Sequence, residues 1–318
     1  MLIKSADDKT KRLALLEDLQ KSCYLDAQQK KWLREELQRH KKGIQGERES
    51  AYYLDNHFKD GVNHVLLHDL RLVVDGEVAQ IDHLVIGRLG YFFLIETKNY
   101  AGNLEINAHG EFTVNYDGDL YGIPSPLEQS RRHERVLFKL LERLEITGRL
   151  DKQPDVHHVV IMHPKAVIRR PDPKAFDTSF LIKADQIPSW HKKFADDIGT
   201  ATVLKALLNM RSQDTIKEWG EKLKRQHRPA DLLALPEFMQ PKPQLAAAAQ
   251  APKAPVQAPT VAFTTPAPVE ADASLAKKRI CAHCHCKISF EEGKFCWNNA
   301  KRFGGLQYCR EHQGLFTQ

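Results

Sequence analysis

The stretch from Gln80 to Lys98 constrains this chain more than any other. Two short runs, Ile81–Ile86 and Tyr91–Ile95, are rich in β-branched and aromatic residues and are bounded by Gly87 and Gly90, so both read as strands. Arg88-Leu89-Gly90 between them has the length of a hairpin loop whose last position takes a left-handed backbone, which glycine adopts without steric cost. That register pairs Gly87 with Tyr91 and, counting back, sets Asp82 opposite Glu96 and Gln80 opposite Lys98. Alternation along a strand puts Glu96 and Lys98 on one face, so all four side chains are expected to converge. Opposed Cβ atoms sit about 4.5–5.5 Å apart, where two carboxylates repel by roughly 3 kcal/mol at an effective dielectric of about 20. A surface ion pair with Lys98 offsets part of that and contributes little else. Both strands, however, are apolar on both faces, as strands covered on two sides are. Carboxylates held there suit a divalent cation, which takes hard oxygen ligands, and a neighbouring lysine can orient or deprotonate a water.

Two further polar residues head apolar stripes. On a helix beginning near Gly43, Ile44, Glu47, Ala51, Leu54 and Phe58 follow helical spacing, so Glu47 is an acid among apolar neighbours and needs a partner or a metal. The bland alternative is a cap or surface role, with Gly46 loosening the helix start. On a helix from Pro126 to Glu145, Gln129 and His133 lead Val136, Leu137, Leu140 and Leu144. Gln129 and His133 could reach a phosphate or a metal-bound water, although an interior histidine bonded to a carbonyl is the commoner case. Arg131, Arg132, Arg135, Lys139 and Arg143 on the other sides of this helix suit a phosphate backbone, and equally a solvated face.

Gly46-Glu47, Gln80-Ile81-Asp82-His83, Ile95-Glu96-Thr97-Lys98-Asn99-Tyr100 with Gly102, and then Pro126 and Gln129 together resemble the nuclease-related domain, NERD, over about residues 43–165. The resemblance implies a PD-(D/E)xK nuclease: an α/β fold with a restriction-endonuclease-like mixed sheet flanked by helices. It implies that Asp82 and Glu96, with the Thr97 carbonyl, hold Mg2+ or Mn2+ and that Lys98 positions the attacking water. Glu47 and Gln129 join the catalytic set. Asn103–Ile123 alternates around His109-Gly110 and Asp117-Gly118 and reads as a β-meander. Val156–Met162 reads as a strand, which in such a core lies beside that of Glu96 and Lys98. His157, His158 and His163 are not spaced as a metal set and are expected to be structural.

The other chemical signal is at the end of the chain, where Cys281-Ala282-His283-Cys284 is followed by Cys309-Arg310-Glu311-His312. The spacing matches two zinc knuckles, and a module this small needs such a staple. Cys281, Cys284, Cys309 and His312 are the expected Zn2+ ligands, with Cys296 or Cys286 as a possible replacement. The tail resembles the zinc-ribbon-like modules that accompany some NERD proteins. It reads either as a DNA-binding accessory, with Lys277, Lys278, Arg279, Lys294, Lys301, Arg302 and Arg310 near phosphates and Phe295, Trp297 and Phe303 for stacking, or as a protein-docking module whose aromatics are its small core. Cys23 reads as an isolated buried or free thiol.

The domain plan is an N-terminal helical segment at 1–42, broken near Ser22 to Asp26, with Asp26 as a cap and Trp32, Leu33 and Leu37 packing inward. A nuclease-like domain follows at 43–165, and a helical extension at 166–235 that carries Val203, Leu204, Leu207, Leu208 and Ile216. Next comes a disordered linker rich in Ala and Pro at 236–278, whose composition cannot offset its ordering entropy, and then the zinc module at 279–318. The net charge of +6 permits nucleic-acid binding. No apolar run is long enough for a membrane span and no secretory leader is visible, so a cytoplasmic protein with no membrane partner is expected. These features favour a Mg2+-dependent deoxyribonuclease with DNA as partner. The alternatives are a non-catalytic nucleic-acid- or protein-binding module on the same fold, and an RNA-processing nuclease.

Overall fold

A computed structural model describes residues 1–100, 102–147, 153–197, 210–240, 279–284, 286–314 and 316. The hairpin of β3 (Glu77–Gly87) and β4 (Tyr91–Lys98) forms as its loop chemistry dictates. Gly90 is left-handed at φ 86°, and its N–H closes the turn on the Gly87 carbonyl at 3.0 Å. The ladder pairs His83 with Ile95 and Ile86 with Phe92, the expected register.

The main sheet runs β1-β2-β3-β4-β8-β10, with β1 at Leu2–Lys4, β2 at His64–Val74, β8 at Asp155–Met162 and β10 at Leu181–Lys183. β4 lies parallel to β8, with Lys98 level with Met162, whereas β2, β3 and β4 are antiparallel neighbours. Both sheet faces are covered. On one, Phe92 and Leu94 pack with Leu137, Leu140, Ile216 and Trp219 from α3 (Pro126–Arg143) and α5 (Gln213–Arg225). On the other, Phe93 and Ile95 pack with Leu54 and Phe58 of α2 (Ala27–Phe58) and Ile187 at the start of α4 (Ile187–Asp196). Full burial of each such side chain is worth about 1.5–3 kcal/mol. The meander forms a second sheet from β5 (Asn103–Ile106), β6 (Phe112–Tyr116) and β7 (Asp119–Ile123), joined by β9 (Ile168–Arg169).

Several local expectations differ from the structure, beginning with the helical extension expected at 166–235, which supplies the strands β9 and β10 before α4. Leu2–Lys4 form a strand parallel to β2, where only helix is expected before residue 43. The helix that follows α1 (Thr10–Leu19) and the helix of Glu47 are one continuous element, α2, with no break at Gly43. Asp26 does cap it, accepting from the Gln29 N–H at 2.8 Å. At the head of the expected linker, Glu237–Met239 form a 3-10 turn with Met239 buried. There the Gln29 amide donates to the carbonyls of Phe238 and Gln240, and Trp32 meets the Phe238 ring edge-on at 5.3 Å. Residues 241–278, including Lys277 and Lys278, and Val203, Leu204, Leu207 and Leu208 lie outside the described residues.

The chain divides into two compact units, Met1–Leu13 with Leu37–Leu233, and Ala14–Glu36 with Ala234–Gln318. The second contains a small core of Cys281, Ile288, Cys296, Phe303 and Tyr308.

Candidate active site and metal cluster

At the Lys98 end of β4, the two faces of the strand carry two different polar systems. On the α3 face, Glu96 is 3 % exposed. Its Oε1 accepts from Lys98 Nζ at 2.7 Å and from the Gln129 amide at 2.6 Å, and Lys98 also donates to Gln129 Oε1 at 3.0 Å. Ser125 caps α3 by accepting from the Glu128 N–H, which fixes the turn that carries Gln129. His133 Nδ1 stands 3.8 Å from Glu96 Oε2, beyond hydrogen-bond length. Burial, then Arg132 and Lys98, push its pKa down to about 4, so the ring is neutral.

Asp82 is half-buried and accepts the backbone N–H of Thr97 at 2.8 Å. Its pKa is driven well above the ordinary carboxylate range, first by burial and then by the charges of Glu96 and Glu47. Glu96 is raised as well, by burial above all, with Lys98 and Gln129 opposing and Glu47 adding to the shift. The hairpin therefore does oppose two acids, and Glu47 adds a third negative charge within their field.

Glu47 reaches this point because α2 comes unusually close to the end of β4. A Cβ on Gly46 would lie 2.7 Å from Asn99 Cβ, and the Asn99 amide donates to the Lys42 carbonyl at 3.1 Å. Gly46 thus sits inside a helix and permits a close approach, rather than loosening a helix start. Glu47 is paired with Lys9 Nζ at 2.8 Å, and Lys9 is also 3.3 Å from Asp69. Neither Lys9 nor Asp69 carried a sequence signal. Asp69 is buried with a left-handed backbone at φ 53° and accepts the Gln80 amide at 2.6 Å. Gln80 is thereby bonded to β2 instead of joining Lys98.

On the α2 face, Thr97 Oγ1 meets His83 Nε2 at 3.1 Å, His83 Nδ1 meets His68 Nδ1 at 2.7 Å, and His68 Nε2 meets Asp55 Oδ1 at 3.2 Å. Both imidazoles are buried, and burial leads the causes that hold each below the ordinary histidine range, so both are neutral. Asp55 can only accept, so His68 carries its proton on Nε2. His83 must then donate from Nδ1, and Thr97 donates to His83 Nε2. Thr97 therefore links the two systems, its N–H on Asp82 and its hydroxyl on the histidine chain.

Oxygen donors from Glu47, Asp82, Glu96 and the Thr97 carbonyl are of the type Mg2+ or Mn2+ takes, and a cation would oppose the burial and the neighbouring carboxylate charges that raise the pKa of Asp82. The three carboxylates do not close to within 4.8 Å of one another, as the Cys and His ligands of the tail do. The three histidines expected to be structural have partners of their own: His157 packs on Tyr91 and Phe194, His158 bonds Ser130, and His163 pairs with Glu49. On α3, Arg131 pairs with Glu128, Arg143 with Asp75 and Lys139 with Glu77.

In the tail, the ligand atoms of Cys281, Cys284, Cys309 and His312 lie within 4.8 Å of one another. Cys284 Sγ is 3.8 Å from Cys309 Sγ, and Cys281 Sγ is 3.9 Å from His312 Nδ1. A tetrahedral zinc with Zn–S near 2.3 Å sets sulfurs about 3.8 Å apart, so the cluster fits a metal. Cys296 stands apart in the small core, its sulfur accepting the Tyr308 N–H at 3.2 Å. Cys286 groups with Cys284 and with Cys23, which is therefore not the isolated thiol expected. Gly304 and Gly305 turn the chain in left-handed conformations, and Cys309 precedes a short helix, Arg310–Gln313.

No curated protein and no solved structure matches the chain. A family model does: residues 42–163, a span that takes in the β3–β4 hairpin together with Glu47 and Gln129, match the nuclease-related domain, NERD.

Proposed function

We propose that the chain is a metal-dependent nuclease that hydrolyses DNA phosphodiester bonds by in-line attack of water. The observation that carries this reading is the convergence of Asp82, Glu96, Lys98 and Gln129, with Glu47 supplied by α2, inside a nuclease-related domain. Asp82, Glu96 and the Thr97 carbonyl would hold Mg2+ or Mn2+, which when bound supplies charge to stabilise the developing negative phosphate oxygens. Lys98 orients the attacking water from a position fixed by Glu96 and Gln129. Gln129 keeps that ammonium in place, and neutral His133 limits solvent access to Glu96. The Cys281, Cys284, Cys309 and His312 cluster is assigned to a structural Zn2+.

The test is incubation of the purified chain with plasmid, linear and single-stranded DNA, and with RNA, in Mg2+ or Mn2+ beside Asp82→Ala and Lys98→Ala. Metal-dependent cleavage of DNA that both substitutions abolish is expected. Activity surviving both would place the chemistry elsewhere. Preference for RNA would support an RNA-processing enzyme, and binding without cleavage a non-catalytic module.

A further inference from the structure

We propose that the cleft between Lys42 of α2 and Lys165, beyond the end of β8, is a subsite that binds backbone phosphate of the polynucleotide next to the scissile bond. The proposal rests on the nuclease reading and adds to it a place for the bound strand.

The cleft has a volume of about 350 Å³ and is lined by Lys42, Gln45, Asn99, Tyr100, His163 and Lys165, among others. It adjoins the candidate site along the chain, since Asn99 and Tyr100 directly follow Lys98. It adjoins it in space as well, because β4 and β8 run parallel and end level with each other, Lys98 beside Met162. Ligands of open α/β sheets bind outside the carboxyl ends of such parallel strands. The third wall is α2, held against Asn99 by the Gly46 contact and the bond to the Lys42 carbonyl.

The charge balance of the cleft is positive. Lys42 and Lys165 are exposed, and among the described residues neither ammonium has a carboxylate partner. The nearby acids are already engaged: Glu49 takes His163 at 3.3 Å and the Gln45 amide at 2.9 Å, and Glu47 takes Lys9. An unpaired ammonium on each wall of a concave, half-polar cleft suits an anion that spans it. A phosphodiester strand leaving the Lys98 site meets such an anion-binding cleft first on this side. Lysine binds phosphate as a point charge and demands no base identity, so the subsite would add affinity without sequence preference.

Because each phosphate contact releases counterions, the salt dependence of binding counts such contacts. The experiment measures anisotropy of a fluorescein-labelled duplex against the full chain at several salt concentrations in EDTA, where a metal-dependent nuclease does not cut. Wild type is compared with the double variant Lys42→Gln/Lys165→Gln and with Lys217→Gln, an exposed lysine on α5. The expected result for the double variant is a log–log salt slope shallower by about 2, near 0.9 per lost contact, with roughly tenfold weaker binding. Lys217→Gln should match wild type. Unchanged slope and affinity in the double variant, or no duplex binding by wild type, would overturn the subsite. Cleavage in Mg2+ is scored separately. A chain that shows the slope change but never cuts retains the subsite and loses the nuclease reading, whereas a chain that cuts with an unchanged slope loses only the subsite.

Discussion

His68 and His83 meet nitrogen to nitrogen, Nδ1 to Nδ1 at 2.7 Å, in a buried chain that starts on Asp55 and ends on the Thr97 hydroxyl. With both rings neutral, the carboxylate at one end sets the direction of every bond. Nitrogen-15 NMR should therefore find His68 as the Nε2–H tautomer and His83 as the Nδ1–H tautomer. Thr97→Val leaves His83 Nε2 without a donor and is expected to cost about 1–3 kcal/mol, whereas Thr97→Ser keeps the bond and most of the stability. Mixed tautomers in the wild-type chain would refute the polarised chain.

Gly46 governs how Glu47 is delivered. Gly46→Ala puts a methyl 2.7 Å from Asn99 Cβ, so α2 or the end of β4 must shift. Overpacking of this kind costs about 1–3 kcal/mol. Cleavage should fall by more than the fraction unfolded explains, because Glu47 moves with the helix. Thermal melts and rates measured on the same preparation separate the two effects.

Asp82 gives a pH dependence with a definite sign. Its pKa is raised in the folded state, so the fold favours the protonated acid, and the group's contribution to stability is lost as pH rises above the unfolded value. Asp82→Asn should therefore melt higher than wild type in EDTA at neutral pH, and the gap should close as pH falls toward 4, an approximate ordinary carboxylate value. Added Mn2+ should raise the melting temperature of wild type and leave Asp82→Asn unmoved. A lower melting temperature for Asp82→Asn at neutral pH would count against this electrostatic account.

The tail cluster predicts about one zinc per chain by elemental analysis, removed by strong chelators and absent in Cys309→Ser. Cys296→Ala should keep the metal, because its sulfur serves the Tyr308 N–H, although loss of core packing lowers the stability of the module. Retention of zinc by Cys309→Ser would reassign the ligands.

What the sequence discloses here is what short-range geometry controls. A loop ending in left-handed Gly90 sets the pairing of His83 with Ile95, and hence the place of Asp82, from a handful of adjacent residues. The stripe leading from Gln129 through Val136 to Leu140 is legible in the same way, as a helical period. Lys9 and Asp69 were not legible, because their contact depends on the parallel pairing of Leu2–Lys4 with β2, and so short a strand has no alternation to read. The continuity of α2 is hidden in the sequence for a related reason. Gly43 and Gly46 look like a helix boundary until the approach of Asn99 shows what Gly46 is for. His83 stood in plain view beside Asp82, but its role depends on His68 and Asp55, which reach it from another strand and a helix.

Glu47, Asp82, Glu96, Lys98 and Gln129 are proposed to form one metal-dependent phosphodiesterase site. Its most direct test is single-turnover cleavage of an end-labelled duplex with Mn2+, comparing wild type with Lys98→Ala under conditions where both are shown to bind the duplex. Cleavage by wild type that stops in EDTA, with a rate at least about a hundredfold lower in Lys98→Ala, is the predicted result. Equal rates for the two proteins, or cleavage that persists in EDTA, would contradict it.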